Sequence, residues 1–316
     1  MRSFNQISIA AKSIAAFAMC LSGPAFCDDA PLYLGVLEER PIFTTADEGQ
    51  HIPQLRLAFT FREGKWQAAC VNSGDGFSPK DCLPFPVDKA TEWSVLHNGS
   101  TDGTVITQGL QDRWSSQLGV LKVTSDNAPN VQVKPWEEDG LSTWAWPKAP
   151  PRRPLVALPQ TTQFRKAPYR VRLAGTSEEY EVIFPIVRKA SPNVPSCGED
   201  SDHEIRSRAG EPTKISDLAI FEVVDFDNGT KLFGANIKVS VHCPYKKWPP
   251  TTVWVYGHRG KALRTIDGVE HWIEFGDFAG KGDIAGIFNV GGYNMGGYAL
   301  LLNEFSTRVD TSWHYH

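Results

Sequence analysis

The chain has 316 residues, 41% hydrophobic and 22% charged, the balance of a folded protein rather than a disordered one. Its 32 Lys and Arg against 36 Asp and Glu give a formal net charge of −4, so the chain as a whole offers no electrostatic case for nucleic acid. Ten Trp and 22 Pro against three Met favour strands, turns and aromatic packing over long helices.

Residues 1–27 read as an export signal, which predicts a periplasmic or secreted protein. Arg2 and Lys12 precede the apolar run 13–21, which is too short to cross a hydrocarbon layer of roughly 30 Å. Small residues follow, with cleavage expected after Cys27 or after Ala25. No later run reaches about 18 apolar residues, so no membrane span is expected in the mature chain. Loss of Arg2 and Lys12 takes the basic count from 32 to 30 against 36 acidic groups, a net charge of −6. Four Cys remain, and an oxidising compartment favours disulfides among them. Of the three connectivities, Cys70–Cys82 with Cys197–Cys243 closes the shortest loops. No Cys-x-x-Cys pair occurs, so zinc is not expected.

Residues 28–146 form the first expected domain, made of short strands. The run Leu55–Arg62 alternates with period two, Glu63-Gly64 turns, and Lys65–Cys70 returns, which is a hairpin. Thr91–Leu96 runs into His97-Asn98-Gly99, a strong turn signal, and Thr104–Thr107 follows. Residues 147–159 are Pro-rich and read as a linker or crossing segment unable to sit inside a sheet. Residues 160–316 form the second expected domain. Strands are expected at Tyr169–Leu173 and, after Gly175-Thr176-Ser177, at Tyr180–Phe184. A polar loop carrying Cys197 follows, and from Ile215 onward strands and turns alternate.

Two stretches in this half are alike. In 220–239 and in 272–290 an apolar strand enters Asp-Phe, passes a Gly-bearing loop and leaves in a second strand. Asp225 and Asp277 are 52 residues apart, and Thr252–Tyr256 with Ala262–Ile266 make another hairpin between them. Four strands per unit at this period is the arithmetic of a propeller blade. The fold class expected is therefore mainly β, with short antiparallel strands, a propeller-like second half of degenerate repeats and few or no long helices.

The stretch Phe275-Gly276-Asp277-Phe278-Ala279-Gly280-Lys281-Gly282-Asp283-Ile284-Ala285 resembles the FG-GAP or VCBS repeat of integrin-alpha-like propellers. Over residues 215–316 the chain is similar to exported bacterial proteins with such repeats. The resemblance implies a fold type, with Ca²⁺ ligands at Asp277 and Asp283 and, in the earlier loop, at Asp225, Asp227 and Asn228. A hard cation needs several oxygens, and acidic residues spaced by two around a Gly turn supply them. Here the later loop is two residues shorter, and Ala279 and Lys281 stand in the middle acidic places, so no resident cofactor is expected. An ordinary Asx turn accounts for Asp225–Gly229 equally well.

No nucleophile elbow, zinc-protease motif or phosphate loop is present in the sequence. Charged pairs such as Glu38-Glu39 and Glu178-Glu179 read as solvated groups. The functional candidates are aromatic: Trp144, Trp146 and Trp254, with Tyr293 and Tyr298 in a Gly-rich turn. Such rings stack on sugars or peptides through one apolar face. The expected function is a non-enzymatic exported protein that binds a protein or glycan at a loop face. The alternatives are an extracytoplasmic hydrolase and a structural envelope protein.

Overall fold

Turn residues cut the chain into short strands, and one helix interrupts them. The structure is a computed structural model that describes residues 32–41, 51–70, 89–110, 120–127, 154–162, 164–194, 210–237, 252–258, 263–292 and 295–314. It is mainly β, with antiparallel sheets. Among the described residues no helix is long and apolar enough to cross a membrane. The export segment 1–27 lies outside them, as do residues 147–153.

The first sheet comprises β1 (Leu32–Pro41), β2 (His51–Arg62), β3 (Lys65–Ala68), β4 (Thr91–His97), β5 (Ser100–Leu110), β6 (Val120–Asn127) and β7 (Leu155–Pro159). Both sequence-marked hairpins form. Glu63 and Gly64 have φ of 49° and 76°, and Asn98 and Gly99 have 50° and 70°. Paired positive φ values match the twist of the flanking strands. The order is β1-β7-β4-β5-β6-β2-β3, and β1 pairs with β2 as well as with β7. Six strands therefore form a closed circuit of antiparallel pairings.

Strand β7 corrects one expectation. Leu155–Pro159 lies inside this sheet, between β1 and β4. Its interior residues all donate normally. Pro154 precedes the strand and Pro159 ends it, where a missing donor is tolerated. The period-two rule sorts its side chains: Leu155 and Ala157 pack with Leu37, Leu57, Trp93 and Val95, while Val156 and Leu158 face the next sheet.

The short strands β8 (Arg165–Lys166) and β9 (Tyr169–Arg172) lead to α1 (Ser177–Ala190). Two four-stranded meanders follow. The first is β10 (Leu218–Phe226), β11 (Thr230–Ile237), β12 (Val253–His258) and β13 (Arg264–Ile266), with β9 added at its edge. The second is β14 (Trp272–Asp277), β15 (Ala285–Gly292), β16 (Met295–Leu302) and β17 (Thr307–His314), with β8 added at its edge. The two like stretches of sequence occupy the same place in each meander, its first hairpin.

The layers stack in a fixed order. Ile273, Ile287, Tyr298, Leu300 and Trp313 of the second meander pack on Val36, Phe59 and Val156 of the first sheet. Its other face carries Trp272, Phe275, Phe288 and Leu301 against Val224, Phe226, Trp254 and Tyr256 of the first meander. The far face of the first meander receives α1 through Ile183 and Val187. Residues 31–316 form one compact unit.

Helix α1 overturns the strand expected at Tyr180–Phe184. Thr176 accepts from the Glu179 N–H at 3.3 Å, and the Glu179 carboxylate accepts from the Thr176 N–H at 2.8 Å, a reciprocal capping box. Ile183 and Val187, four apart, are the residues that bury. Glu179 also ties the helix to the sheet. It accepts from Arg172 at 2.8 Å and from Lys231 at 2.8 Å, and both cations also reach Asp225, at 2.7 and 3.3 Å. Burial works to raise the Glu179 pKa, but the bonds from Arg172, Lys231 and Thr176 prevail and hold it at about 2. A lowered carboxylate stabilises the fold fully above its unfolded value of 4.5. That contribution is lost as pH falls from there through about 2. With Arg172 and Lys231 partly exposed, screening leaves about 1–2 kcal/mol. Urea titrations of wild type and Glu179→Gln are expected to differ by this amount at pH 7 and to converge near pH 2. A constant difference across that range would contradict the assignment.

Candidate binding cleft

Folding brings the β2–β3 hairpin against the loop after β14, although they are more than two hundred residues apart in sequence. Between them lies a cleft of about 310 Å³. Half-buried Leu302 and Val309 line it above the buried Phe278 and Ala285, and Phe61 and Trp66 form one wall. The two rings meet edge to face, with centroids 5.3 Å apart, and both are half-buried. Lys65, Lys281, Asp283, Asn303 and Thr307 complete the rim.

The loop carries the FG-GAP-like sequence, and its Asp277 is committed to the chain. One carboxylate oxygen accepts from the Lys281 N–H at 2.9 Å and the other from the Gly282 N–H at 2.6 Å. Gly280 and Gly282 have φ of 68° and 93°, which lets the short loop bend back on Asp277. The Lys281 ammonium turns away and lies 4.7 Å from the Phe61 ring centroid. Asp283 is exposed. In the earlier loop Asp225 is paired with Arg172 and Lys231, and Asn228 accepts from the Thr230 N–H at 2.9 Å, closing an Asx turn. Asp227 is exposed. Asp277, Asp225 and Asn228 thus turn oxygens to N–H groups and cations of the chain rather than to a shared centre. Among the described residues no group of three His, Cys, Asp or Glu side chains is arranged to hold a metal.

The turn from β16 to β17 supplies Asn303 and Thr307. Asn303, Glu304 and Phe305 have φ of 50°, 53° and 60°, three successive left-handed residues without a glycine. This costs roughly 1–2 kcal/mol per residue. Burial of Phe305 among Phe226, Tyr256, Phe275 and Phe288 holds the turn in place. The Asn303 amide donates to Thr307 Oγ1 at 3.0 Å. Strained backbone of this kind concentrates at ligand clamps.

The aromatic candidates from sequence do not form this cleft. Trp254 is fully buried between the two meanders, and its indole N–H donates to the Glu270 carbonyl at 2.6 Å. Tyr298 is also buried, and its hydroxyl donates to Glu38. Neither ring presents a face to a ligand, because each lies where two sheets pack. Trp144, Trp146 and Tyr293 lie outside the described residues. Cys70 is disulfide-bonded. Cys82, Cys197 and Cys243 lie outside the described residues, and the pairing expected from loop closure rests on the sequence alone. Glu38, expected to be solvated, is buried in β1. It accepts from Arg56 Nε at 3.0 Å and from Gln54 Nε2 at 3.1 Å.

Compared with protein-family models, curated proteins and solved structures, the chain matches none.

Proposed function

We propose that the protein is an exported, non-enzymatic binding protein that holds a glycan or a protein segment in the cleft between the β2–β3 hairpin and the Asp277–Ala285 loop. One observation carries this reading: a half-buried Trp66–Phe61 wall over an apolar floor, rimmed by polar and charged side chains. Ligand sites combine a mostly apolar lining with a few placed polar groups, and start near 300 Å³. Tryptophan suits such a wall because it offers large apolar area at low entropic cost. Export follows from the reading of residues 1–27. The two meanders are taken as degenerate repeats of the FG-GAP or VCBS type, in which loops between strands carry the contacts.

The test is a glycan array and a pull-down with the mature chain, followed by titration calorimetry. Trp66→Ala is expected to weaken the selected partner at least tenfold, about 1.4 kcal/mol. A retained cooperative thermal transition is the control for folding, since Trp66 also packs against the core and its loss lowers the midpoint. An unchanged affinity would refute the site, and turnover of a saccharide or peptide by the purified protein would refute the non-enzymatic reading.

A further inference from the structure

Resting on that reading, we infer that the ligand is a saccharide bearing a carboxylate, with its ring against Trp66 and its charge met by Lys281 and Lys65. Lys281 is the cation at the mouth of the cleft. Two carboxylates stand nearby in sequence, Asp277 and Asp283, yet the ammonium pairs with neither. Asp277 is turned to the backbone N–H groups of Lys281 and Gly282. The Lys281 side chain is placed instead by the Phe61 ring, 4.7 Å from its centroid. A ring orients a cation without neutralising it, so its charge remains available to an incoming anion. Lys65 also lines the cleft, from the same hairpin as Trp66, and its backbone is fixed by the tight Glu63-Gly64 turn.

The remaining lining discriminates among anions. A phosphate or sulfate alone has no use for the apolar floor of Leu302 and Val309 or for the Trp66 face. A pyranose supplies an apolar C–H face for the floor and indole, and hydroxyls for Asp283, Asn303 and Thr307. A carboxylate on that ring gives the two ammonium groups their partner.

The experiment compares trigalacturonic acid, its methyl ester and cellotriose by calorimetry on the whole mature chain. The acid is expected to bind at least tenfold more tightly than the ester, and the advantage should shrink severalfold between 20 and 200 mM NaCl. Lys281→Met keeps the aliphatic stem over Phe61 and removes the charge. It is expected to abolish most of the preference, so that acid and ester bind within about twofold of each other, with the thermal midpoint confirming folding. Equal binding of acid, ester and cellotriose, lost in Trp66→Ala, would overturn the carboxylate assignment while sustaining the cleft. Binding of none of the three by a folded protein would overturn the saccharide assignment. A partner recovered in the pull-down and lost on Trp66→Ala would then sustain the cleft as a protein site.

Discussion

Glu38→Ala is expected to lower the unfolding free energy by about 3–5 kcal/mol, because it removes a hydrogen-bonded carboxylate from a buried ion pair. Arg56 is 2% exposed and lies between the first sheet and the second meander, its guanidinium carbon 3.8 Å from the Trp313 ring centroid. Among the described residues, Glu38 accepts at this junction from Arg56, Gln54 and Tyr298. Tyr298 and Trp313 come from β16 and β17, so the carboxylate joins strands 260 residues apart in sequence. Removing both charges together should be milder. The double variant Glu38→Ala with Arg56→Met is expected to recover at least half of the loss, since apolar replacement of a buried pair is often neutral. Urea unfolding midpoints of the three proteins measure this directly. A single-variant cost below about 1 kcal/mol would show the pair to be solvated.

Glu274→Ala is expected to have a similar effect for a different reason. Glu274 is 1% exposed and has no cation hydrogen-bonded to it. Its carboxylate accepts from the Tyr169 hydroxyl at 2.8 Å, the Phe275 N–H at 2.8 Å and the Gly99 N–H at 3.0 Å. These donors belong to the edge strand β9, to β14 itself and to the β4–β5 turn of the first sheet. Each unpaired buried donor costs about 1–3 kcal/mol. The sum is not additive, and about 3–5 kcal/mol is the expected loss. Burial raises the Glu274 pKa, against the opposing pull of the Gly99, Phe275 and Tyr169 donors and the charge of His97. The folded state therefore holds more protons than the unfolded one between the raised value and the ordinary 4.5. Falling pH through that window stabilises this group's contribution, opposite in sign to Glu179. Comparing Glu274→Gln with wild type across that window is informative. The wild type should gain relative to the variant as pH falls, and a relative loss would contradict the raised pKa.

The sequence carried much of the architecture. Glu63-Gly64 and Asn98-Gly99 mark their hairpins because only a few residues accept two positive φ values in succession. The 52-residue spacing of Asp225 and Asp277 marks the meanders because each repeats one four-stranded unit. Helix α1 was hidden by Tyr180-Glu181-Val182-Ile183-Phe184, whose side chains alternate over the first three residues as in a strand. Thr176 and Glu179, three apart before an apolar run, were the signal that could have found it. Strand β7 was hidden by Pro154 before it and Pro159 at its end, which obscure the proline-free run Leu155–Leu158.

The cleft was less legible. Lys281 stood out only as a departure from a calcium loop, and Phe61 and Trp66 only as part of a hairpin. Nothing local ties the hairpin to the loop; tertiary packing of the first sheet on the second meander makes the site. Conversely Trp254 and Tyr298 carry the composition of a binding surface and serve the core, since a tryptophan between two sheets buries the same area a ligand would cover.

The most direct test of the cleft is a ¹H–¹⁵N titration of the mature chain with the tightest saccharide of the panel. The account predicts that the largest shifts fall on the Trp66 indole N–H and on the backbone amides of Lys65, Lys281, Gly282 and Asn303. Shifts clustered instead around Val171, Leu173 and Val182, exposed apolar residues on and near β9 and α1, with these five signals unmoved, would contradict it.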